Sequence, residues 1–521
     1  MVLDAGRLNP YGLAISNAGS VSREIRGGNM AKDSAAKTSL GGKRKLTLID
    51  TIAQSVGLMG PVFSIAFLVP LVVGIISATG NGAGNAAPLA VVIAAIGVVG
   101  LGWIVAEYTR KIQAAGSLYD YVTDGLGGRV GTAAGWLYYA GILALGAGIL
   151  PMIGGTIHDT IQAEFNRAPF GYFVWDLILF AVVGAIIYLG VALSTRVQLA
   201  LAMISITVVL IFSIFVIIKS GGLHHLSSGF SPSGSPTHWK GVFFGVLYGV
   251  LLFTGFETSA NLAEETERPE RNIPRAVLIS VVAIAGFYII GSFAQVSGFH
   301  FNLSALGKNA GAPLFTLAGP KSAGGFAGVG IRRLVELVVI FDMIAVLIGC
   351  AVSASRGVFA LARDSRLPKT LTRISHRGTP SGAIVFVLFV YAVIILLVTW
   401  TTSFALLGFP EYFSMFSWMS TFGGFAIAVI YLFIALGALR GLRSGSRTWK
   451  LYLACLVGGL VTIAAIYGAI YKVTAPTVWA PYAGFAVLAI GLIAAGLMPR
   501  TPQGTADFSG LSETDQGPIK I

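Results

Sequence analysis

Two carboxylates stand inside long apolar runs of this chain, Glu257 and Asp342. An acidic side chain at membrane depth costs on the order of several kcal/mol, so such a group is paired, protonated or functional. Glu257 follows Phe253-Thr254-Gly255-Phe256, where its position suits a proton-responsive coupling group; the structural alternative is a brace for an unwound segment. Asp342 shares a helix face with Ala345, Gly349 and Ser353, at i, i+3, i+7 and i+11. A small and polar stripe of that kind faces other helices or a cavity rather than lipid. Asp342 is therefore a second coupling candidate, or a contact for an amine, against the alternative of an interhelical hydrogen bond. Glu336, Asp176 and Glu107 lie nearer the ends of their runs, where solvation is easier. No Lys or Arg lies deep in any run, which disfavours a free anion as ligand and favours a zwitterion or an amine.

Two apolar runs are interrupted in a similar way. One contains Gly57-Leu58-Met59-Gly60-Pro61 and the other Phe253-Thr254-Gly255-Phe256. Glycine permits non-helical dihedrals, and proline has no backbone N–H to donate. Backbone groups freed at membrane depth are tolerated only where they face protein or a wet cavity. These nine residues are the candidate substrate contacts, with peptide N–H groups at a half-helix N-terminus suited to a substrate carboxylate. Phe253 and Phe256 are placed to pack on an apolar ligand or to gate it. Gly60 and Gly255 are 195 residues apart, close to the length of five spans with their loops. Two five-helix halves with discontinuous first helices describe an inverted-repeat secondary transporter. The structural alternative is an ordinary glycine or proline kink, common in membrane helices.

The elements that must position these residues follow from composition. The 521 residues are 55% hydrophobic and 11% charged, with a mean hydropathy of +0.81. A soluble enzyme needs more charge than that on its surface. Spans are expected at 51–76, 86–108, 131–156, 171–191, 197–218, 240–263, 276–298, 333–358, 381–403, 406–438, 451–472 and 478–498, each long enough for a hydrocarbon core of ~30 Å. The tenth carries Pro410 and is expected to begin with a kinked or re-entrant piece. With the N-terminus inside, 27 of the 35 Lys and Arg residues fall on the inner side and 8 outside. That bias favours an even number of spans with both termini cytoplasmic, and it accounts for the net charge of +13 without nucleic-acid binding. Residues 1–45 read as a basic disordered tail without a signal-peptide core, and 499–521 as a second cytoplasmic tail.

Other motifs carry less. Cys350 and Cys455 sit in apolar runs and read as packing residues. His224, His225 and His238 lie in a Ser/Gly/Pro loop without an acid or cysteine to complete a metal site. Asn302-Leu303-Ser304 is a glycosylation sequon. No metalloprotease, nucleophile-elbow or phosphate-loop motif is present, so hydrolase and ATP-driven readings lack their residues.

Three loops carry a resemblance. One runs Gly255-Phe256-Glu257, then Glu264-Glu265, then Pro269-Glu270-Arg271-Asn272-Ile273-Pro274-Arg275. A second holds Ala115-Gly116-Ser117-Leu118-Tyr119-Asp120-Tyr121, then Gly127, Gly131 and Gly135-Trp136. The third holds Ser355-Arg356, Ala362-Arg363-Asp364-Ser365-Arg366-Leu367-Pro368 and Thr379-Pro380. Together they resemble the amino acid–polyamine–organocation permease superfamily over most of the membrane domain. The resemblance implies a five-plus-five, leucine-transporter-like fold with two extra C-terminal helices and substrate at the first and sixth breaks. Physically, Pro269 and Pro274 suit the stop of one helix and the start of the next, 115–121 suits a short helix along the inner surface, and Arg356 and Arg363 suit helix C-caps or lipid headgroups. Many members carry a G-S/A-G triplet where this chain has Gly60-Pro61 after Leu58-Met59, and a lysine in the fifth span near Ser205, which here holds no deep ionisable residue. The eighth span has no clear Ser/Thr pair at the depth of a sodium site.

The expectation is an all-α polytopic membrane protein of about 12 transmembrane helices. It comprises repeat one (about 51–218), repeat two (about 240–438) and extra helices (about 451–498), in the plasma membrane. Its expected function is secondary active transport of an amino acid or related amine, proton-coupled or by exchange, with no cofactor and no metal. The partners expected are the substrate, the proton and the lipid bilayer; no oligomeric state follows. A membrane sensor that binds the same ligand without moving it is the rival reading.

Overall fold

The computed structural model describes residues 45–74, 82–309, 311–401, 410–442, 449–471, 475–476 and 478–498. Among them, twelve helical segments are long and apolar enough to cross a membrane. In order they are Leu48–Val73, Gly84–Lys111, Gly128–Phe165, Tyr172–Leu189, Ser194–Lys219, Trp239–Glu265, Pro269–Gly298, Val329–Arg363, Ser381–Trp400, Glu411–Gly441, Trp449–Ile470 and Trp479–Leu497. Each coincides with an expected span. In the tenth, Pro410 is the N-cap of a helix beginning at Glu411, where its missing N–H costs nothing, and the piece expected before it lies in 402–409, outside the described residues. The described parts of the chain contain no β-strand, only two isolated bridges.

The first span sits at the centre: 89% of its most apolar window is buried, against 22% in the fourth span and 28% in the twelfth. Peripheral spans bare apolar side chains such as Leu177, Ile178, Ile490 and Ile493, the surface that hydrocarbon covers. Small residues let the central spans close. Gly141 of the third span lies against Gly423 of the tenth, where an added Cβ would stand 3.3 Å from the Gly423 carbonyl. Gly349 of the eighth leaves 3.1 Å between such a Cβ and the Cα of Leu58 in the first. Close approach of this kind is how helices associate where water gives no hydrophobic drive. Cys350 and Cys455 are buried and free, as packing residues should be.

The N-terminal face is pinned by the three loops that carry the resemblance. Leu46 pairs with the strand-like exit of the sixth span, donating to the Glu265 carbonyl (2.8 Å) and accepting from the Glu267 N–H (2.9 Å). The Glu264 carboxylate accepts from the Ala115 N–H at 3.0 Å and from Arg363 at 2.9 Å. Arg356 donates to Glu265 at 3.0 Å, with both side chains buried. Arg356 is thus enclosed by protein, out of reach of lipid headgroups, and Arg363 is committed to Glu264. A short helix, Leu118–Leu126, follows Ser117 as the sequence suggested. In it Asp120 has its carboxyl pushed up to about 8, by burial first and then by the neighbouring Asp364 carboxylate, with Arg363 opposing. Pro269 opens the seventh span at its first position, but Pro274 is carried inside that helix rather than starting a new one.

Candidate functional site between the two broken spans

The first span breaks at one residue. Residues Leu48–Met59 form an α-helix begun by a capping box between Thr47 and Asp50. Gly60 then takes a left-handed conformation, φ +54°, and Pro61 restarts the chain as helix. A side chain at Gly60 would meet an L-residue's strain and run into Val346. The expected break over Gly57–Pro61 is therefore narrower: Gly57, Leu58 and Met59 stay helical, and the Gly60 N–H still donates to the Val56 carbonyl at 3.3 Å. Gly57 packs on Gln198 of the fifth span, whose side chain leaves no room for a Cβ. Beyond the break, Ser64–Leu68 form a π-turn, a feature frequent at functional sites and not signalled by the sequence.

The sixth span breaks more widely. Its α-helix Trp239–Leu252 ends, Gly255 turns at φ +110°, and Phe256–Glu265 continue as a 3-10 helix. Ten residues of 3-10 geometry exceed the usual few and mark a hinge or strain. This break packs on the helical turn just before the first, since a Cβ on Gly255 would fall on Leu58. Ser55 joins them, donating to the Phe256 carbonyl at 2.7 Å and accepting from the Ser259 N–H at 3.3 Å. Tyr288 of the seventh span donates to the Leu252 carbonyl at 2.6 Å, one of the groups freed by the break.

Glu257 is fully buried and held by two phenols. Tyr138 of the third span donates to Oε1 at 2.9 Å and Tyr431 of the tenth to Oε2 at 2.6 Å. Phe253 packs edge-on against Tyr288, with centroids 5.0 Å apart, and Phe256 lies 5.3 Å from Tyr431. Thr254 is the one partly exposed residue of the nine candidate contacts. A separate aromatic group stands beyond Gly60: Phe63 meets Phe416 edge-on at 5.4 Å, and Phe67 meets Phe315 at 6.0 Å.

Asp342 reaches the first break. Its Oδ2 accepts from the N–H groups of Val62 (2.9 Å) and Phe63 (2.8 Å). The remainder of its stripe faces protein as well: Gly349 meets Leu58, and Ser353 bonds Asn261. Gln54 of the first span donates to the Gly349 carbonyl at 3.1 Å. Ser205 ties the fifth span to the Val338 carbonyl at 2.7 Å. The weaker acidic candidates sit apart from this centre: Glu107 pairs with Arg110 and Glu336 with Arg332, while Asp176 is buried beside Gly154. Among the described residues, no group of three His, Cys, Asp or Glu side chains stands close enough to hold a metal ion. A cleft of about 760 Å³ on the N-terminal face, lined by Lys45, Arg268, Arg271 and Arg275, lies away from the breaks.

The sequence could not indicate Tyr138, Tyr288 or Tyr431, which come from three different spans. A tyrosine in an apolar run reads alike whether it serves a core or an interface.

The chain is similar to known proteins along most of its length. The family profile described as amino acid permease matches residues 55–500. A branched-chain amino acid permease of Bacillus subtilis is 24% identical over 328 residues, covering 58% of this chain and 65% of that protein. Its counterpart in Lactococcus lactis is 23% identical, covering 56% and 63%. A dicarboxylic amino acid permease of Saccharomyces cerevisiae is 27% identical over 250 residues, covering 43% and 40%. The chain thus spans less than two thirds of these curated relatives. Among solved structures, the manganese transporter of Eremococcus coleocola superposes with a TM-score of 0.52 at 14% identity, covering 86% of this chain and 94% of that one. At that identity the likeness speaks for the fold, a leucine-transporter-like arrangement.

Proposed function

Because the chain belongs to the amino acid permease family, we propose that it is a secondary active transporter of an amino acid or related amine. The observation that carries this reading is the pair of breaks at Gly60 and Gly255, held side by side by Leu58 against Gly255 and by Tyr288, whose hydroxyl reaches the Leu252 and Met59 carbonyls. Polar backbone at membrane depth gives a solute hydrogen-bonding partners that hydrocarbon lacks. Substrate binds along Gly57, Leu58, Met59, Gly60 and Pro61 on one side and Phe253, Thr254, Gly255 and Phe256 on the other. The two five-span repeats rock against each other around this point, with the last two spans added outside the repeats. Glu257 takes up and releases the coupling proton, cradled by Tyr138 and Tyr431, and Asp342 is the second ionisable group of the pathway.

The N-terminal face is the cytoplasmic one, in keeping with the distribution of Lys and Arg, and the proposed membrane is the plasma membrane. The ion pairs Arg356–Glu265 and Arg363–Glu264 close that face and part when it opens. Reconstitution of the purified protein into liposomes tests the proposal. A labelled panel of amino acids and amines is expected to give uptake above protein-free liposomes, accelerated by an imposed proton gradient. Saturable binding with no uptake of any compound would replace the transporter with a sensor.

A further inference from the structure

The first span offers an anion one seat at its break, and a side chain of the protein already sits in it. Gly60 turns the chain so that the first N–H groups of the restarted helix, at Val62 and Phe63, have no intrahelical partner, while the Ser64 N–H returns to the Gly60 carbonyl. Those of Val62 and Phe63 both point at Asp342 Oδ2. A substrate carboxylate would need these same donors, since a half-helix N-terminus is where such a group is held.

The other oxygen of Asp342 has the opposite character. Oδ1 is buried and has no hydrogen-bond partner among the described residues. No ion pair among them involves Asp342 either, and the side chain is 0% exposed. An acceptor in that condition calls for a donor, and a buried carboxylate calls for a cation. A divalent metal fits poorly, because among the described residues no three His, Cys, Asp or Glu side chains gather to hold one. An ammonium, which brings donors and a positive charge and needs only one acid, fits well. Apolar side chains stand beside Asp342, with Gly60 against Val346 and Phe63 and Phe63 packed on Phe416, and the Tyr288 hydroxyl is a polar neighbour.

We propose that Asp342 stands in for the substrate carboxylate at the first break, so that the preferred substrate is a primary amine with an apolar body and no carboxylate. The ammonium binds Oδ1 while Oδ2 stays on Val62 and Phe63. The proposal rests on the transporter site described above and narrows its substrate class.

Matched pairs test it: leucine against isoamylamine, and phenylalanine against phenethylamine. Binding to the purified full-length protein is measured by displacement of a labelled amine and, separately, of a labelled amino acid. Loss of one charge-assisted hydrogen bond weakens affinity on the order of tenfold or more. The amine of each pair is expected to bind at least ~10-fold tighter, and Asp342→Asn to lose at least ~10-fold of that affinity. Asp342→Ala, which empties the seat, is expected to move preference toward the amino acid. Tighter binding of the amino acid by the wild type would overturn the inference while leaving the transporter reading intact. Binding of neither partner in either pair would sink the site itself and the inference with it. Should the variants lose their monodisperse size-exclusion peak, the wild-type pair comparison decides alone.

Discussion

Replacing Arg356 by methionine is expected to cost about 3–5 kcal/mol of stability, the largest effect of any single substitution considered. Arg356 is 0% exposed and Glu265 3% exposed, with 3.0 Å between Nε and Oε1. Two buried charges in contact offset each other's desolvation; removing one leaves the other bare. The guanidinium also donates to Ser355 Oγ at 3.2 Å. Met has similar volume, so the loss is electrostatic rather than a cavity. The double variant Arg356→Met with Glu265→Gln is therefore expected to recover most of it, because neither residue then carries charge. Thermal unfolding of detergent-purified protein, followed by tryptophan fluorescence or loss of the monomer peak, reads both. A single variant as stable as the wild type would remove this pair from the account of how the N-terminal face closes.

The second large effect is on transport. Glu257→Gln is expected to abolish acceleration of uptake by a proton gradient and to lower uptake at least ~10-fold, while the protein still folds. Both phenols donate to Glu257, and both its oxygens accept. Glutamine keeps one acceptor and turns the other into a donor, so one tyrosine must accept where it now donates and send its O–H elsewhere. The amide also carries no proton that it can release. Tyr138→Phe and Tyr431→Phe provide the comparison, because each removes one hydrogen bond and leaves the carboxyl. They are expected to change the rate moderately and to keep the gradient effect. Uptake by Glu257→Gln that still responds to the gradient would assign Glu257 a bracing role only.

The parts of this structure legible in the sequence are those governed by local rules. Long apolar runs gave all twelve spans, since a helix is the only way for a single chain segment to satisfy its backbone in hydrocarbon. Gly60-Pro61 and Gly255 marked both breaks, because no other residues adopt or tolerate those turns so readily. What escaped depends on neighbours. Gly57 read as part of a break, yet its missing side chain serves contact with Gln198, and the helix runs on through Met59. Helical spacing placed Asp342 on an inward face, but spacing says nothing about which helix lies opposite, so its bonds to Val62 and Phe63 were out of reach. Glu257 stood out as a buried acid; its partners, 119 and 174 residues away, did not. Arg356 and Arg363 looked suited to helix C-caps or lipid headgroups because the acids that take them, Glu265 and Glu264, sit at the end of another span.

The central claim is that a solute binds between the breaks at Gly60 and Gly255. An electron cryo-microscopy map of the protein with a saturating transported compound tests it most directly. The account predicts added density bounded by Met59–Pro61 and Phe253–Gly255, with Leu58 and Gly255 drawn apart to admit it. Density for the compound at another place, with Leu58 still closed on Gly255, would contradict it.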